Sequence, residues 1–345
     1  MVDITVRGAG IFGLSTAWAC VRRGATVRVI DPAGPAAGSS GGVVGALAPH
    51  VPENWNVKKA FQLESLLMAE SFWAGVAATG GKDPGYARTG RLQPIRDAQA
   101  LEMARARRAG AATHWESHAA WDVIPAEGAG WEPNSPTGWL IQDTLSARIH
   151  PRNACHALVA ALRERGVEVV PEGPQSGLTV WATGAAGLAE LGSDLGRDIG
   201  TGIKGQAALL RHDAPSAPQL FVDGLHVVPH ADGSVAIGST SECDFDGPQD
   251  TDALLDALIE KARIALPRLS EAPVIERWAG LRPRARTRAP MLGPWPGRDG
   301  HYIANGGFKI GFGMAPKGAE VMALLLLDGR DEIPADFRVE ASLTR

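Results

Sequence analysis

The chain is poor in cysteine and tyrosine, carries no strong excess of either charge, and has no long apolar run. Its three cysteines, Cys20, Cys155 and Cys243, lie far apart. None falls in a CxxC or Cys/His spacing, so neither a disulfide framework nor a metal site is expected. Free thiols in a stable fold point to a reducing compartment, and the expected location is the cytoplasm. The 34 basic and 38 acidic residues leave a net charge of −4, which disfavours a generic nucleic-acid surface. The longest apolar run, Val321 to Leu327, falls far short of the roughly 18 residues needed to span a bilayer. The chain starts as a strand, Asp3 to Arg7, rather than as a charged segment followed by a long apolar one, so no signal peptide is expected. What is present is ordinary globular material. With 345 residues, 45% hydrophobic and 21% charged, the chain is long enough for two domains and a large core without staples.

Residues 3–7 read as a buried strand, followed by the cluster Gly8-Ala-Gly10-Ile11-Phe12-Gly13. A helix is expected over 11–23, stopped by Gly24. A second strand over 26–30 ends in Asp31-Pro32. The small-residue loop 35–49 carries Val43, Val44 and Leu47 to bury, so it is expected to be ordered and to hug a ligand. Further helices are expected over 58–77, 98–109, 153–165, 252–266 and 317–327. Short strands are expected at 167–170 and 179–182, and the stretch 78–142 reads as mixed. From Gly205 to Ser241 the pattern turns to alternating strands with a hairpin signal at Asp232-Gly233, and a strand at 274–278 follows. The fold class is therefore α/β, with a parallel-sheet, Rossmann-like domain and an antiparallel-sheet second domain. The expected division puts 1–52, 143–203 and 279–345 in a discontinuous first domain, and 53–142 and 204–278 in the second.

The glycine cluster has a specific physical reading. Gly8 permits the tight turn out of the strand, Gly10 lets backbone approach a pyrophosphate, and Gly13 lets helix pack on sheet. The helix N-terminus at Ile11 and Phe12 offers free N–H groups and a positive dipole to phosphates. Asp31, 23 positions beyond Gly8, stands where it can accept hydrogen bonds from a ribose. This pattern alone does not separate NAD from FAD. A second small-residue stretch, Gly311-Phe312-Gly313-Met314-Ala-Pro316, precedes the last expected helix; it reads either as a ligand-facing helix start or as a plain connector. Arg282 offers a planar fork matched to a carboxylate. Its neighbours Arg284, Arg286 and Arg288 read as a solvated basic loop. Alternation puts His226 on the opposite strand face from Leu225 and Val227, and His50 follows the small-residue loop directly.

The ordered set of motifs resembles the FAD-dependent amine and amino-acid oxidases typified by glycine oxidase, D-amino-acid oxidase and sarcosine oxidase. Its pieces are Gly8–Asp31, Gly38-Ser39-Ser40 through Gly45-Ala46-Leu47-Ala48-Pro49, Ala182-Thr183-Gly184, Lys204-Gly205-Gln206, Trp278–Pro283, Ala289–Gly293 and the tail Gly306–Gly318. The resemblance implies FAD as cofactor. It places Ser39 and Ser40 on the phosphates, Ala46 and Leu47 beside the flavin ring, and Val169 or Val170 near the adenine end. Thr183 and Gly184 would close over the pyrophosphate. Gly311, Phe312, Gly313 and Met314 would aim a helix N-terminus at the flavin, favouring its reduced, negatively charged form. Arg282 would fix the substrate carboxylate, and Lys309 would be a second cation near the substrate. Two departures stand out. Gly307 occupies the place of a usual histidine, and His226 that of the D-amino-acid oxidase tyrosine, in a chain whose only tyrosines are Tyr86 and Tyr302.

The resemblance implies an enzyme that oxidises the C–N bond of a small amino acid: a D-amino acid, glycine or an N-alkyl glycine. Hydride would pass to flavin N5, the imine would hydrolyse, and O2 (yielding H2O2) or another acceptor would take the electrons. A homo-oligomer is kept among the expected partners; a membrane or nucleic acid is not. Three alternatives stand beside this. One is the FAD module that oxidises a carboxymethylamino group on tRNA wobble uridine, resembled by Gly45–Pro49 and Gly90–Gln93, with Arg105–Arg108 as its only basic run. The others are a flavin-bound interaction protein without turnover, whose Arg282 would face solvent or a fixed internal acid, and an NAD-dependent dehydrogenase.

Overall fold

Residues 4–30 fold as a strand, Ile4–Arg7, a helix, Ile11–Arg22, and a second strand, Val27–Ile30, parallel to the first. The structure is a computed structural model and describes residues 2–128 and 130–343. Met1, Ala129, Thr344 and Arg345, which the expected domain ranges include, lie outside the described residues. The opening unit sits inside a six-stranded sheet. From one edge it runs Met291–Pro294, His301–Asn305, Leu178–Trp181, Ile4–Arg7, Val27–Ile30 and Val169–Val170. All pairs are parallel except the edge pair Met291–Pro294 with His301–Asn305. Parallel strands need both faces covered. The helices Ile11–Arg22 and Gly311–Asp328 pack together, and the latter also packs on Val57–Gly80. Trp18 and Trp73 are fully buried in this core.

An eight-stranded sheet forms the second layer system. Its order is Val274–Ala285, Gly200–Arg211, Ser234–Gly238, Leu225–Pro229, Gln219–Val222, Arg91–Pro94, Trp139–Asp143 and Trp121–Pro125. It is antiparallel apart from the Gln219–Val222/Arg91–Pro94 pair. The helix Ala253–Ala265 covers it through Leu255, Ile259 and Ala262. Three of its strands come from the stretch that sequence patterning leaves as mixed.

Several boundaries differ from expectation. The divisions at 203/204 and 278/279 fall inside strands, because Gly200–Arg211 and Val274–Ala285 pair almost end to end, from Gly200 opposite Ala285 to Leu210 opposite Val274. The run Arg282-Pro283-Arg284 is thus strand, not loop, and only Arg286 and Arg288 are exposed. A helix absent from the sequence reading, Gly184–Leu195, follows the strand Leu178–Trp181; its glycine- and alanine-rich start reads locally as a turn. The last helix begins at Gly311 and carries Pro316 inside it. The proline forfeits one backbone hydrogen bond near the first turn, and burial of Met314, Ala315, Ala319 and Met322 outweighs that loss. Gly311 to Met314 are therefore the helix's first turn rather than a segment preceding it. Among the described residues, no helix is long and apolar enough to cross a membrane, and no cluster of ligating side chains could hold a metal ion. Cys20 and Cys155 are buried free thiols and Cys243 is an exposed one.

Candidate active site

A cavity of about 670 Å³ opens at the C-terminal ends of the parallel strands and continues to the antiparallel sheet, where ligands sit in this type of fold. At one end stands the glycine turn. Gly8 has φ +105° and donates to the Ile30 carbonyl at 2.8 Å. A side chain on Gly8 would lie 2.3 Å from the Ala182 carbonyl oxygen, and one on Gly13 would lie 1.9 Å from the Gly8 carbonyl oxygen. These glycines bring helix and strand ends to near contact, leaving Gly10, Ile11 and Phe12 to line the cavity. Gly13 itself packs behind the turn and does not line it.

Helix capping sets three helix starts at this cavity apart. The helices Val57–Gly80, Ala98–His114, Pro151–Glu164 and Ala253–Ala265 have their first turns capped by the side chains of Asn56, Asp97, His150 and Asp252. Pro151 itself borders the cavity, but the other three helices that start there, at Ile11, Gly184 and Gly311, have no such cap. Ser40 Oγ accepts from Ile11 N at 3.0 Å, but the remaining first-turn donors have no side-chain acceptor, and three positive dipole ends converge on one space. Thr183 Oγ1, buried in the same wall, has no partner. Asp31 accepts from Ala9 N at 2.7 Å and Ala33 N at 3.0 Å, and its carboxylate keeps lone pairs for further donors. Converging N–H groups, an orphaned hydroxyl and an acceptor-rich carboxylate fit a long ligand that is anionic at its centre and hydroxylated near one end, as FAD is.

Other expected cofactor residues divide. Ser39, Ala46, Gly184, Phe312 and Gly313 line the cavity together with Gly311. Ala46 and Leu47 form a short strand paired with Ala147–Arg148, which turns Ala46 to the cavity and Leu47 into the core. Met314 likewise points inward and is buried. Val169 and Val170 lie on the edge strand beside Asp31, whose N–H donates to the Val170 carbonyl at 2.9 Å, and neither lines the cavity.

At the far end, Arg282 is 9% exposed and faces the cavity from the strand Val274–Ala285. Its Nη1 donates to Ser239 Oγ, and its Nη2 donates to the carbonyls of Thr240 and Lys204. Its Nε is buried with no acceptor. A side chain on Gly205 would lie 2.2 Å from the guanidinium, so Gly205 is the gap that lets Arg282 cross the neighbouring strand. Behind it, Glu242 lies 3.6 Å from buried Lys204 and accepts from Gln206 and Thr240. Burial lowers the Arg282 pKa to about 10 and Glu242 opposes that shift, so the guanidinium stays charged at neutral pH. Arg282 therefore meets neither bulk solvent nor a directly paired acid.

His226 reaches the same wall, tilted against Phe221 with ring centroids 4.7 Å apart and its Nδ1 unpartnered. Burial, with Arg91 and Lys309 nearby, lowers its pKa to about 3, so the imidazole is neutral. Lys309 also lines the cavity, its Nζ 5.7 Å from the centroid of the Phe308 ring. Gly307 could not be a histidine here, since a Cβ would lie 2.8 Å from the Phe12 ring. His50 is corrected: its backbone N–H donates to Gln62 Oε1 at 2.8 Å, its Nδ1 contacts the same oxygen, and it does not line the cavity. Sequence reasoning missed Ser239, Thr240 and Phe308, and it missed Trp278 as a cavity residue. The indole of Trp278 lies over Gly280, where a side chain would meet it at 2.6 Å. The pair Trp278/Gly280 was the one available signal, since both stand in the motif that contains Arg282.

Fold and site define a dinucleotide-binding protein with a cationic pocket beside the cofactor cradle. The family model for FAD dependent oxidoreductases (DAO) matches residues 3–325, and the chain belongs to that family. As a member it is an FAD-dependent oxidoreductase of the amino-acid oxidase type. It is 27% identical to a glycine oxidase of Pseudomonas putida, with 99% of each chain covered. It is 33% identical to a glycine oxidase of Pseudomonas aeruginosa over 39% of this chain and 38% of that protein. The crystal structure of glycine oxidase from Geobacillus kaustophilus superposes with a TM-score of 0.82, at 19% identity, covering 98% of each chain.

Proposed function

We propose that the protein oxidises the C–N bond of a small α-amino acid or N-alkyl glycine. The observation that carries this is Arg282, a buried guanidinium with an unmet Nε–H, in the same cavity as three uncapped helix starts. The relatives named as glycine oxidases support it. The helix starts at Ile11 and Gly184, with Ser40 and Thr183, would hold the pyrophosphate, Asp31 the ribose, and Ala46 with the Gly311–Gly313 turn the flavin. Bound FAD supplies the two-electron acceptor, so that the imine product hydrolyses in water and the electrons pass to O2 as H2O2 or to another acceptor. Arg282 then orients the substrate carboxylate. His226, kept neutral, can accept a hydrogen bond from the substrate amine and does not add a third charge. The unit built on the parallel sheet is the cofactor domain and the unit on the antiparallel sheet the substrate domain. Two of their seams lie at 199/200 and 285/286, where the two long paired strands begin and end; the strands between Arg91 and Asp143 belong to the substrate unit as well. Three free thiols favour a reducing, cytoplasmic location. In the basic run of the RNA alternative, Arg107 pairs with Glu53, Arg108 with Asp122, and Arg105 lies over Trp139.

The test is anaerobic mixing of the yellow holoprotein with glycine, sarcosine, proline and a panel of D-amino acids. Bleaching of the flavin absorbance by at least one of them is expected. A flavin that none of these bleaches, but that a wobble-modified tRNA does, would overturn the reading.

A further inference from the structure

The substrate end of the cavity holds more positive charge than one amino-acid carboxylate would balance. Arg282 and Lys309 both line it, and both lie against a single ring: Phe308 has the Arg282 guanidinium carbon 5.6 Å and Lys309 Nζ 5.7 Å from its centroid. Backbone places this ring firmly. Phe308 N donates to the Pro283 carbonyl at 2.9 Å, next to Arg282. Phe308 adopts φ +44°, a left-handed conformation rare for an aromatic residue, so the two cations are brought together at a local conformational cost. Neither cation is ion-paired among the described residues. The nearest carboxylate behind Arg282, Glu242, is engaged by Lys204, Gln206 and Thr240. Asp31, the acid in the cavity lining, belongs to the opposite end. Burial and the Arg282 charge lower the Lys309 pKa, as expected of two cations with no anion between them. His226 beside them is neutral and provides no negative charge.

We propose that Lys309 is a second carboxylate subsite, and that the preferred substrate is an amino acid with two carboxylates. One carboxylate would sit on Arg282 and the other on Lys309. This rests on the amino-acid oxidase reading above and deepens it. Two sources share the chemistry: an acidic D-amino acid, with its second carboxylate on the side chain, and an N-carboxymethyl glycine, with it on nitrogen.

The experiment uses the holoprotein and unreactive ligands, with perturbation of the flavin spectrum and calorimetry as readouts. Succinate and glutarate are expected to bind at least about tenfold more tightly than propionate and butyrate. Lys309→Gln is expected to bring that ratio below about threefold by weakening the dicarboxylates. Arg282→Lys is expected to weaken both classes, with flavin content confirming that the variant folds. Dicarboxylates binding no better than monocarboxylates, or Lys309→Gln weakening both classes equally, overturns the second subsite and leaves the Arg282 reading intact. If no carboxylate binds and no amino acid bleaches the flavin, the broader functional reading is what fails. Turnover of D-aspartate and D-glutamate against iminodiacetate then separates the two sources. All three turning over more slowly than glycine and D-alanine also overturns the proposal.

Discussion

At the Asp31 end of the cavity most of what a ligand would meet is backbone: uncapped helix N–H groups and glycines held at contact distance. At the Arg282 end it is side chains: a guanidinium, an imidazole and a phenyl ring from strands, with an ammonium and a second phenyl ring from the turn before the last helix. The first end is built from local chain geometry and recognises something that does not vary, a dinucleotide. The second depends on strand register and can change its ligand by changing one residue. Backbone recognition is rigid and shared across a family; side-chain recognition is adjustable and specific.

Breaking the backbone end is expected to have the largest effect. Gly13→Val places carbon within 1.9 Å of the Gly8 carbonyl oxygen. It is expected to cost about 3 kcal/mol or more of stability and to leave a largely colourless protein. The flavin-to-protein absorbance ratio and urea unfolding check this. Wild-type values for both would show that the turn is not tightly packed. Arg282→Ala, at the other end, is expected to keep its flavin and lose about 100-fold in kcat/KM, mainly through KM. An unchanged KM would remove Arg282 from the substrate site.

Acid should act on the side-chain end through His226. His226 has a folded pKa of about 3 against an ordinary 6.5. Below pH 6.5 the unfolded chain therefore binds a proton that the folded one refuses. Stability is fully present above 6.5 and falls as pH drops toward 3, by about 1.4 kcal/mol for each unit. Urea midpoints at pH 7 and pH 5 should show this loss, and His226→Gln should make it shallower without abolishing it, since burial also lowers the His230 pKa, to about 4; an equal slope in the variant would assign the loss elsewhere. The mildest change, Gly205→Ala, pushes on the guanidinium without removing it. It is expected to raise KM about tenfold with flavin content unaltered, which stopped-flow reduction at varied substrate would measure.

The sequence exposed the two ends unequally. Gly8, Gly10, Gly13 and Asp31 are legible because their roles depend on spacing along one strand-turn-helix-strand unit. The alternation of Leu225, His226 and Val227 was enough to place the imidazole on its own face. Arg282 stood out through its chemistry and its neighbours in the chain, but its partners did not. Ser239 and Thr240 reach it only because the strand Gly200–Arg211 lies between the two segments with a fixed register. His50 shows the opposite failure: adjacency to a cavity loop says nothing about which way an imidazole turns, and Gln62, on a helix that follows, takes it away. The helix at Gly184 was missed because small residues at a helix start look like a turn until something packs over them.

Local patterning was sufficient for the nucleotide-binding turn, for the alternation that makes the antiparallel sheet, and for the apolar faces that bury the main helices, since each depends on residues within a few positions of one another. The space between the two sheets, the convergence of three helix starts, and the meeting of Arg282 with Lys309 across Phe308 depend on contacts between segments far apart in the chain. Such contacts form only when strands commit to one register and helices to one packing, and no window of sequence carries that information.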